Sequence, residues 1–588
     1  MRGHVATLMS DFYKQAHAEQ YNKDLVLLVD YLTPRTSRLE GVDYLISWGQ
    51  QGFVQEFLVE YFNENFFNIP FEQAMNEHKR IIKYCMTKDH VDYTKIENLH
   101  KLGYLPIEIR IIPEGTKVPI HVPMVEIRNT HPDYVWLVGF IESIMSSEMW
   151  YPMAVANQAY NYRQIANKWY SKTVDNWESV VKHAISEFGF RGSKGREAGI
   201  MAGAAFLTSF DKTATIPALM YLEDYYKCNV EEGNVGGGMI STEHSVMCSN
   251  TSIDGDEDKF YTKLFTELYP TGNLSVVCDS YDYWRIVQEV ICNKAKGVIM
   301  NRTNGSVYVR GDSGNPADII CGTLKAEDYM VIDGLTEAGI KEYFKKKAED
   351  DYTYNGASET WYRVRIGNYL YKVTCDHTWY SAEEDDDYVE GHYGEEVEHV
   401  YFEKSELTPT MKGTVELLWE CYGGTVNNKG FKVLDSHVRA IYGDSITPVL
   451  ADEIYKRLAD KGFAACNVAL GAGSFSMQCT REGNELKPFT RDTYGIAVKA
   501  TYGEMNDGTP IPIFKNPKTD SGIKKSQKGM CFVHYNEDGH IVYEDGYNSK
   551  NIPSNENGNL FVTIFKDGKT MNEQSIHDIR NRLHNGEF

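Results

Sequence analysis

The sequence predicts an α/β protein: an irregular parallel α/β barrel packed on an α+β, β-sandwich-like domain built from both chain ends, with a small β-rich insertion. Three observations predict it. First, short buried runs end in polar turns and then open helices, over and over. Leu274–Cys278 leads to Asp279-Ser280, Ser306–Val309 to Arg310–Pro316, Val438–Tyr442 to Gly443-Asp444-Ser445, and Ala464–Leu470 to Gly471–Ser474. That strand–turn–helix grammar belongs to parallel sheets. Second, strands and helices mix in the N-terminal third, and strands return near the C-terminus. Third, the rhythm stops between about Gly322 and Pro409. The expected bounds are 1–155 and 491–588 for the α+β domain, 156–490 for the barrel, and 322–410 for the insertion.

With 588 residues, 42% hydrophobic and 13% aromatic, the chain can bury a large core in two to four domains. A net charge of −23 argues against a general nucleic-acid binder, whose surface would be basic. It leaves room for a small phosphorylated ligand held by a few cations. No run approaches ~18 uninterrupted apolar residues, so no membrane span is expected, and the first residues lack an apolar signal core. The 11 cysteines are scattered and never spaced C-x-x-C, which fits reduced thiols in a cytosol.

In the N-terminal third, Tyr13, His17 and Tyr21 recur every four residues and would share a helical face. Apolar residues from Tyr44 to Phe62 predict a second helix, weakened at its start by Gly49 and Gly52. Ile107, Ile109 and Ile111 alternate with Glu108 and Arg110, a strand with one face toward a core. Pro113-Glu-Gly turns it, and Val118–Ile127 returns as a strand. A helix from Pro132 to Glu148 breaks at Trp150-Tyr151-Pro152, and another follows to about Tyr170.

In the central part, Phe188-Gly-Phe-Arg191-Gly brings an aromatic ring and an arginine into one glycine-bracketed turn. The ring could stack on a flat heterocycle and the arginine meet a phosphate, or both could be ordinary packing and surface. The Ala/Gly-rich helix Glu197–Phe210 suits close packing, and Gly236-Gly237-Gly238 is a flexible loop. His244, flanked by Glu243, is either structural or a base or nucleophile. Asp279 reads as the N-cap of a helix from Tyr281 to Ala295 and as a strand-end carboxylate. In Arg310-Gly-Asp-Ser-Gly-Asn-Pro316 the arginine suits phosphate or carboxylate, and Asp312 suits a ribose hydroxyl, a metal or a cationic centre. Thr447, Pro448 and Gly462 cap, start and stop the next helix. The barrel loops would gather Asp279, Arg310, Asp312, Gly443, Asp444 and Gly473 at one mouth.

The insertion holds a hairpin around Gly367-Asn368 and a stretch, Ser381–Glu398, with nine acidic residues and no Lys or Arg. Asp385, Asp386, Asp387, His392 and His399 have irregular spacing for a metal site, and a solvated acidic loop accounts for them more simply. Further on, Lys499 alternates with apolar neighbours in a strand beginning near Gly495, as a lysine with an anionic partner or ligand would. Lys515–Lys528 is a lysine-rich loop, and a last helix spans Ser575–His584.

Taken in order, these motifs resemble the nicotinamide phosphoribosyltransferase family of type II phosphoribosyltransferases. The matching pieces are Asp11-x-Tyr13-Lys14-x-x-His17, Leu105-Pro-Ile-Glu-Ile, Pro113-Glu-Gly, Trp150-Tyr-Pro, Phe188-Gly-Phe-Arg-Gly, Glu243-His-Ser, Asp279-Ser-Tyr-Asp, Arg310-Gly-Asp-Ser-Gly-Asn-Pro, Tyr442-Gly-Asp and Thr490-Arg-Asp. They span nearly all the chain except the insertion.

The resemblance implies transfer of phosphoribosyl from phosphoribosyl pyrophosphate to nicotinamide, with Mg²⁺, stimulation by ATP, and a homodimer whose sites take residues from both subunits. Phe188 would stack on one face of the pyridine and Tyr13 of the second copy on the other. Arg191, with Arg491 and Lys499 of that copy, would hold phosphates. Arg310 and Asp312 would line the ribose and base pocket. Gly443, Asp444, Gly473 and Ser474 would hold the ribose and its 5′-phosphate. His244 would be phosphorylated when ATP is spent, oriented by Asp279. Two departures stand out. Ala214 lies where the family has an aspartate that reads the carboxamide, with Asp211 as a substitute reader, and Ser445 lies where glycine is usual. The alternatives are a nicotinate-specific enzyme, a non-catalytic relative acting as a binding protein, and an unrelated barrel enzyme on a sugar phosphate.

Overall fold

The computed structural model describes residues 3–86, 91–351, 358–381, 393–443, 445–483, 485–515 and 526–586. The chain divides into two compact units. One comprises residues 1–165, 180–238 and 471–588, and the other 166–179 and 239–470. Residues 180–238, which the sequence assigns to the barrel, thus cluster with the two chain ends.

The first unit is built on a seven-stranded antiparallel sheet that interleaves the chain ends. Its order is Pro510–Pro512, Ala497–Met505, Leu25–Thr33, Val125–Asn129, Ile107–Ile111, Val562–Lys566 and Lys569–Thr570. One face carries Ile107, Ile109, Ile111 and Ile127, none with any exposure, into the unit's core. The alternate residues are also covered, against the expectation of a one-sided strand. Glu126 explains how: Arg110 Nη1 and Arg128 Nη2 lie 3.3 and 2.7 Å from its Oε1, and the Tyr31 hydroxyl donates to Oε2 at 2.6 Å. The buried charge of Glu126 is tolerated because two guanidinium groups and a hydroxyl meet it.

Other local expectations shift for identifiable reasons. A single helix, Val135–Thr173, runs through Pro152 without the predicted break. Met149, Met153, Ala154, Val155 and Ala156 around it are fully buried, so packing outweighs the one lost hydrogen bond. The predicted Val118–Ile127 strand is two, Lys117–Pro119 and Val125–Asn129, in different sheets. Tyr44–Ile46 is a strand, and the helical run starts at Gln50, behind Gly49 in the left-handed conformation (φ 93°). Tyr21 is extended and lies past its helix, so only Tyr13 and His17 are neighbours, their ring centres 5.3 Å apart.

The second unit carries the predicted parallel α/β pattern as a half-barrel. Strands Ile240–Ser241, Leu274–Val277, Val307–Gly311, Val438–Tyr442 and Val468–Gly473 run parallel in that spatial order, the last crossing the boundary between units. That last strand begins four residues later than predicted, because Ala465–Asn467 form a helical turn. Pro448–Asp460 has the predicted Thr447 cap, whose side chain accepts from Leu450 N. The insertion forms a three-stranded antiparallel sheet, Glu359–Ile366, Tyr369–Ser381 and Tyr393–Glu406, including the predicted hairpin. It has a core of its own, in which Ile340, Phe344 and Ala348 of the helix Ile340–Asp350 meet Val364, Val373 and Val397. Asp385, Asp386, Asp387 and His392 lie outside the described residues, and His399 is exposed beside Tyr401.

Candidate active site

In the second unit, strand register places the predicted residues side by side. Val277 pairs with Arg310 and Gly311 with Tyr442, so the chain segments beginning at Cys278, Asp312 and Gly443 leave one sheet edge together. Asp279 ties two of them. Its Oδ2 accepts from Asp312 N at 3.0 Å, Ser313 N at 2.7 Å and the Ser313 hydroxyl at 2.6 Å. Its Oδ1 lies 3.2 Å from His244 Nε2. Asp279 is not the predicted N-cap: Asp282 caps the helix, its side chain accepting from Arg285 N.

Burial pushes the Asp279 carboxyl up, but the Ser313 hydroxyl, the Asp312 N–H and His244 more than offset it, and the group is held below the ordinary carboxylate range. It stays ionised with a side chain only 4% exposed, while His244, 45% exposed, opens the helix His244–Asp254. Arg310 Nε lies 3.2 Å from Asp312 Oδ1. Two glycines shape this loop. A Cβ on Gly311 would come within 3.3 Å of the Tyr283 ring, and Gly314 has φ 90°. The Tyr442 hydroxyl donates to Gly314 O at 3.2 Å, fastening the loop beside Gly443. Asp444 lies outside the described residues. Ser445 adopts φ 57°, a left-handed conformation that favours glycine, so the sequence departure there carries a conformational cost.

In the first unit the structure makes three groupings. Phe188 ends the strand Ile185–Phe188 and is half-buried, and Arg191 is exposed in the following helical turn. That turn nests on the segment after Gly473. A Cβ on Gly192 would sit 2.0 Å from Ser474 Oγ, and Gln478 Nε2 donates to Gly192 O at 3.0 Å. Phe188, Arg191, Gly473 and Ser474 therefore share one neighbourhood.

The second grouping holds Asp211 and Ala214. Asp211 Oδ1 is 2.6 Å from His183 Nδ1, with Lys182 at 3.8 Å and Lys212 at 3.9 Å, so its carboxylate is already engaged. Ala214 is exposed, its N–H donating to Glu187 O at 2.8 Å. The third grouping surrounds Lys499, half-buried, whose Nζ lies 3.6 Å from Glu142 Oε1. Glu142 Oε2 lies 2.5 Å from Lys14 Nζ, next to Tyr13. Arg491 is exposed at the start of a short helical turn.

Ser313, within the heptad whose small residues let the backbone approach a ligand, also donates its hydroxyl to Asp279. Glu187 and Glu142 carry no motif in the sequence. Glu187 directly precedes Phe188, and its fully buried carboxylate accepts from Thr213 Oγ1 at 2.6 Å.

Comparison with known proteins gives this geometry a family. Residues 394–567 match the model described as the nicotinate phosphoribosyltransferase (NAPRTase) family. A protein of Acinetobacter baylyi named nicotinamide phosphoribosyltransferase is 33% identical over 97% of this chain and 96% of its own length. The chain belongs to the NAPRTase family. A further protein of that name, from Xanthomonas campestris, is 25% identical, covering 81% of this chain and 79% of its own. Among solved structures, a nicotinate-nucleotide pyrophosphorylase from Pyrococcus furiosus aligns with a TM-score of 0.49 at 12% identity, covering 98% of this chain and 94% of that one.

Proposed function

We propose that the chain is a nicotinamide phosphoribosyltransferase, acting as a homodimer in the cytosol, that forms nicotinamide mononucleotide and pyrophosphate. The observation that carries this reading is Asp279, one buried carboxylate bound both to His244 and to the Arg310–Ser313 loop. The pyridine nitrogen attacks the anomeric carbon of phosphoribosyl pyrophosphate. The C–O bond to the diphosphate breaks, and the diphosphate leaves with the bonding electrons. The nitrogen carries no proton, so no base is needed. Charge at the anomeric carbon is cationic and transient, and a fixed carboxylate such as Asp312 stabilises it.

Arg310 orients that carboxylate from 3.2 Å and offers its own charge to the bound substrate. Phe188 gives the ring a stacking face, and Arg191, Ser474, Gly443 and Asp444 take phosphate and ribose oxygens, with Arg491 and Lys499 adding charge from the second copy. A proton on His244 Nε2 shared with Asp279 leaves the Nδ1 lone pair free to accept a phosphoryl group from ATP. Mg²⁺ fits as an ion carried in on the diphosphate. Among the described residues no group of three His, Cys, Asp or Glu could hold a metal, and Asp279 Oδ2 is taken by the Ser313 loop. Asp312 would meet the ion, which would supply charge neutralisation to the leaving group.

The dimer reading draws on Phe12 and Tyr13, neighbouring aromatics 51% and 58% exposed. The cytosolic reading draws on 11 unpaired cysteines and on the lack, among the described residues, of a helix apolar enough to cross a membrane. One observation favours nicotinate as a second base. The family's carboxamide-reading position is a methyl group at Ala214, and Asp211 is occupied by His183. The test is to incubate the protein with phosphoribosyl pyrophosphate, Mg²⁺ and either base, then separate the nucleotides by chromatography. Mononucleotide should form faster from nicotinamide. Product from nicotinate alone, or from neither base, would overturn the proposal.

A further inference from the structure

The long helix Val135–Thr173 places Glu142 and Ser143 against the turn that displays Tyr13. Ser143 Oγ donates to Asp11 Oδ2 at 2.5 Å, and Lys14 Nζ donates to Glu142 Oε2 at 2.5 Å. The turn Asp11-Phe12-Tyr13-Lys14 is thus held at both ends by consecutive helix residues, and the exposed Tyr13 ring projects between. Lys14 is a poor candidate for direct ligand contact, because its side chain is only 5% exposed and its charge is met by Glu142. Glu142 has a second oxygen, and it faces Lys499 Nζ at 3.6 Å. One carboxylate therefore meets two lysines from separate segments, one buried and one 38% exposed. Of these three charged groups, Lys499 is the part solvent reaches most. The nearby Asp30 is buried, 5% exposed.

We infer that Glu142 is a positioning residue: it fixes the Tyr13 turn through Lys14 and holds the Lys499 ammonium where a substrate phosphate meets it. Glu142 thus links the stacking ring to the phosphate grip, alongside Ser143 on Asp11 and Val498 O, which accepts from Lys499 Nζ at 2.5 Å. This rests on the reading of the protein as a phosphoribosyltransferase that uses Tyr13 and Lys499.

The experiment compares wild type with Glu142→Gln, Glu142→Asp and Ser143→Ala. The glutamine variant keeps shape and loses charge, and the aspartate keeps charge on a shorter arm. Glu142→Gln should raise KM for both nicotinamide and phosphoribosyl pyrophosphate by about 10-fold, with kcat within about 3-fold of wild type. Glu142→Asp should recover part of that loss, and Ser143→Ala should raise KM for nicotinamide alone. Binding of inorganic pyrophosphate, followed by calorimetry, should weaken in Glu142→Gln by a similar factor. That arm reports on the lysine even if wild type forms no mononucleotide, an outcome that would sink the enzymatic reading separately. Unchanged KM values and unchanged pyrophosphate binding in Glu142→Gln would overturn the inference. So would a fall in Tm and kcat with both KM values preserved, the signature of a purely structural contact.

Discussion

A buried carboxylate that gathers several donors loses them together when it is neutralised. Asp279 is such a group, and Asp279→Asn should cut mononucleotide formation by about 100-fold or more and abolish ATP-driven phosphorylation of His244. Radiolabel from γ-labelled ATP would read the second effect, and retained labelling would refute the role. Because its folded pKa is lowered, the stability Asp279 contributes is present above the ordinary carboxylate range and is lost as pH falls through the folded value. Asp30 works in the opposite direction. Burial, then the charge of Glu142, pushes it up to about 7 against the pull of Lys14 and Lys499. Its contribution is greatest below the ordinary range and declines by about 1.4 kcal/mol per pH unit until that value is passed. Asp30→Asn should therefore gain on wild type in Tm as pH rises from about 5 to about 8, and parallel Tm profiles would refute it. At this scale the sequence was half legible. Asp279 stood out as a strand-end carboxylate, but it also read as the cap of a helix opening at Tyr281, a place that Asp282 takes. Glu142 gave no local signal, since its partner Lys14 is 128 positions away and only folding joins them.

Elements were legible where a local cause acts alone. Thr447 and Pro448 start a helix by capping and by a fixed φ, and nothing distant opposes them. Pro152 misleads because its cost is one hydrogen bond and local strain, while the surrounding helix buries Met149, Met153 and Val155 completely. The insertion shows the same contrast, its hairpin being readable from Gly367-Asn368 but not the way it joins the second unit. At that join Thr323 N donates to Thr410 O at 2.9 Å, and the entering and leaving segments touch backbone to backbone. A Cβ on Gly413 (φ 84°) would fall 2.1 Å from Gly322 N, so both positions need glycine. The segment has its own core and paired ends, and the residues it meets beneath, Glu416 and Lys412, keep second partners in Lys461 and Glu420. Replacing 325–407 with a short glycine linker should leave the far-UV circular dichroism of the remainder intact and the mononucleotide-forming rate within about 3-fold. Gly413→Ala should instead lower Tm by several degrees, at a cost of about 2 kcal/mol or more. Loss of soluble protein on excision would show that the insertion completes the fold.

At the scale of the whole molecule, a domain built from both chain ends was expected, but not their interleaving in one antiparallel sheet, because neither end announces its partner. Pairing across hundreds of residues is chosen by which faces remain to be covered, and that is a property of the folded chain. Assembly is the further step. If each active site takes Tyr13 from one copy and Asp312 from the other, a Tyr13→Ala dimer and an Asp312→Ala dimer both have two defective sites. Mixed by unfolding and refolding, or by co-expression with different tags, they form hybrids in which one site carries both substitutions and the other carries neither. Random pairing makes half the dimers hybrid and restores one site in each, so activity should recover to about a quarter of wild type. Tyr13→Ala alone should raise KM for nicotinamide by about 10-fold or more, the stacking face being lost. A mixture no more active than its parents, with hybrids shown by affinity pull-down, would place Tyr13 and Asp312 in the same copy's site and refute sharing. Sedimentation of wild type as a monomer at assay concentration would refute it more directly.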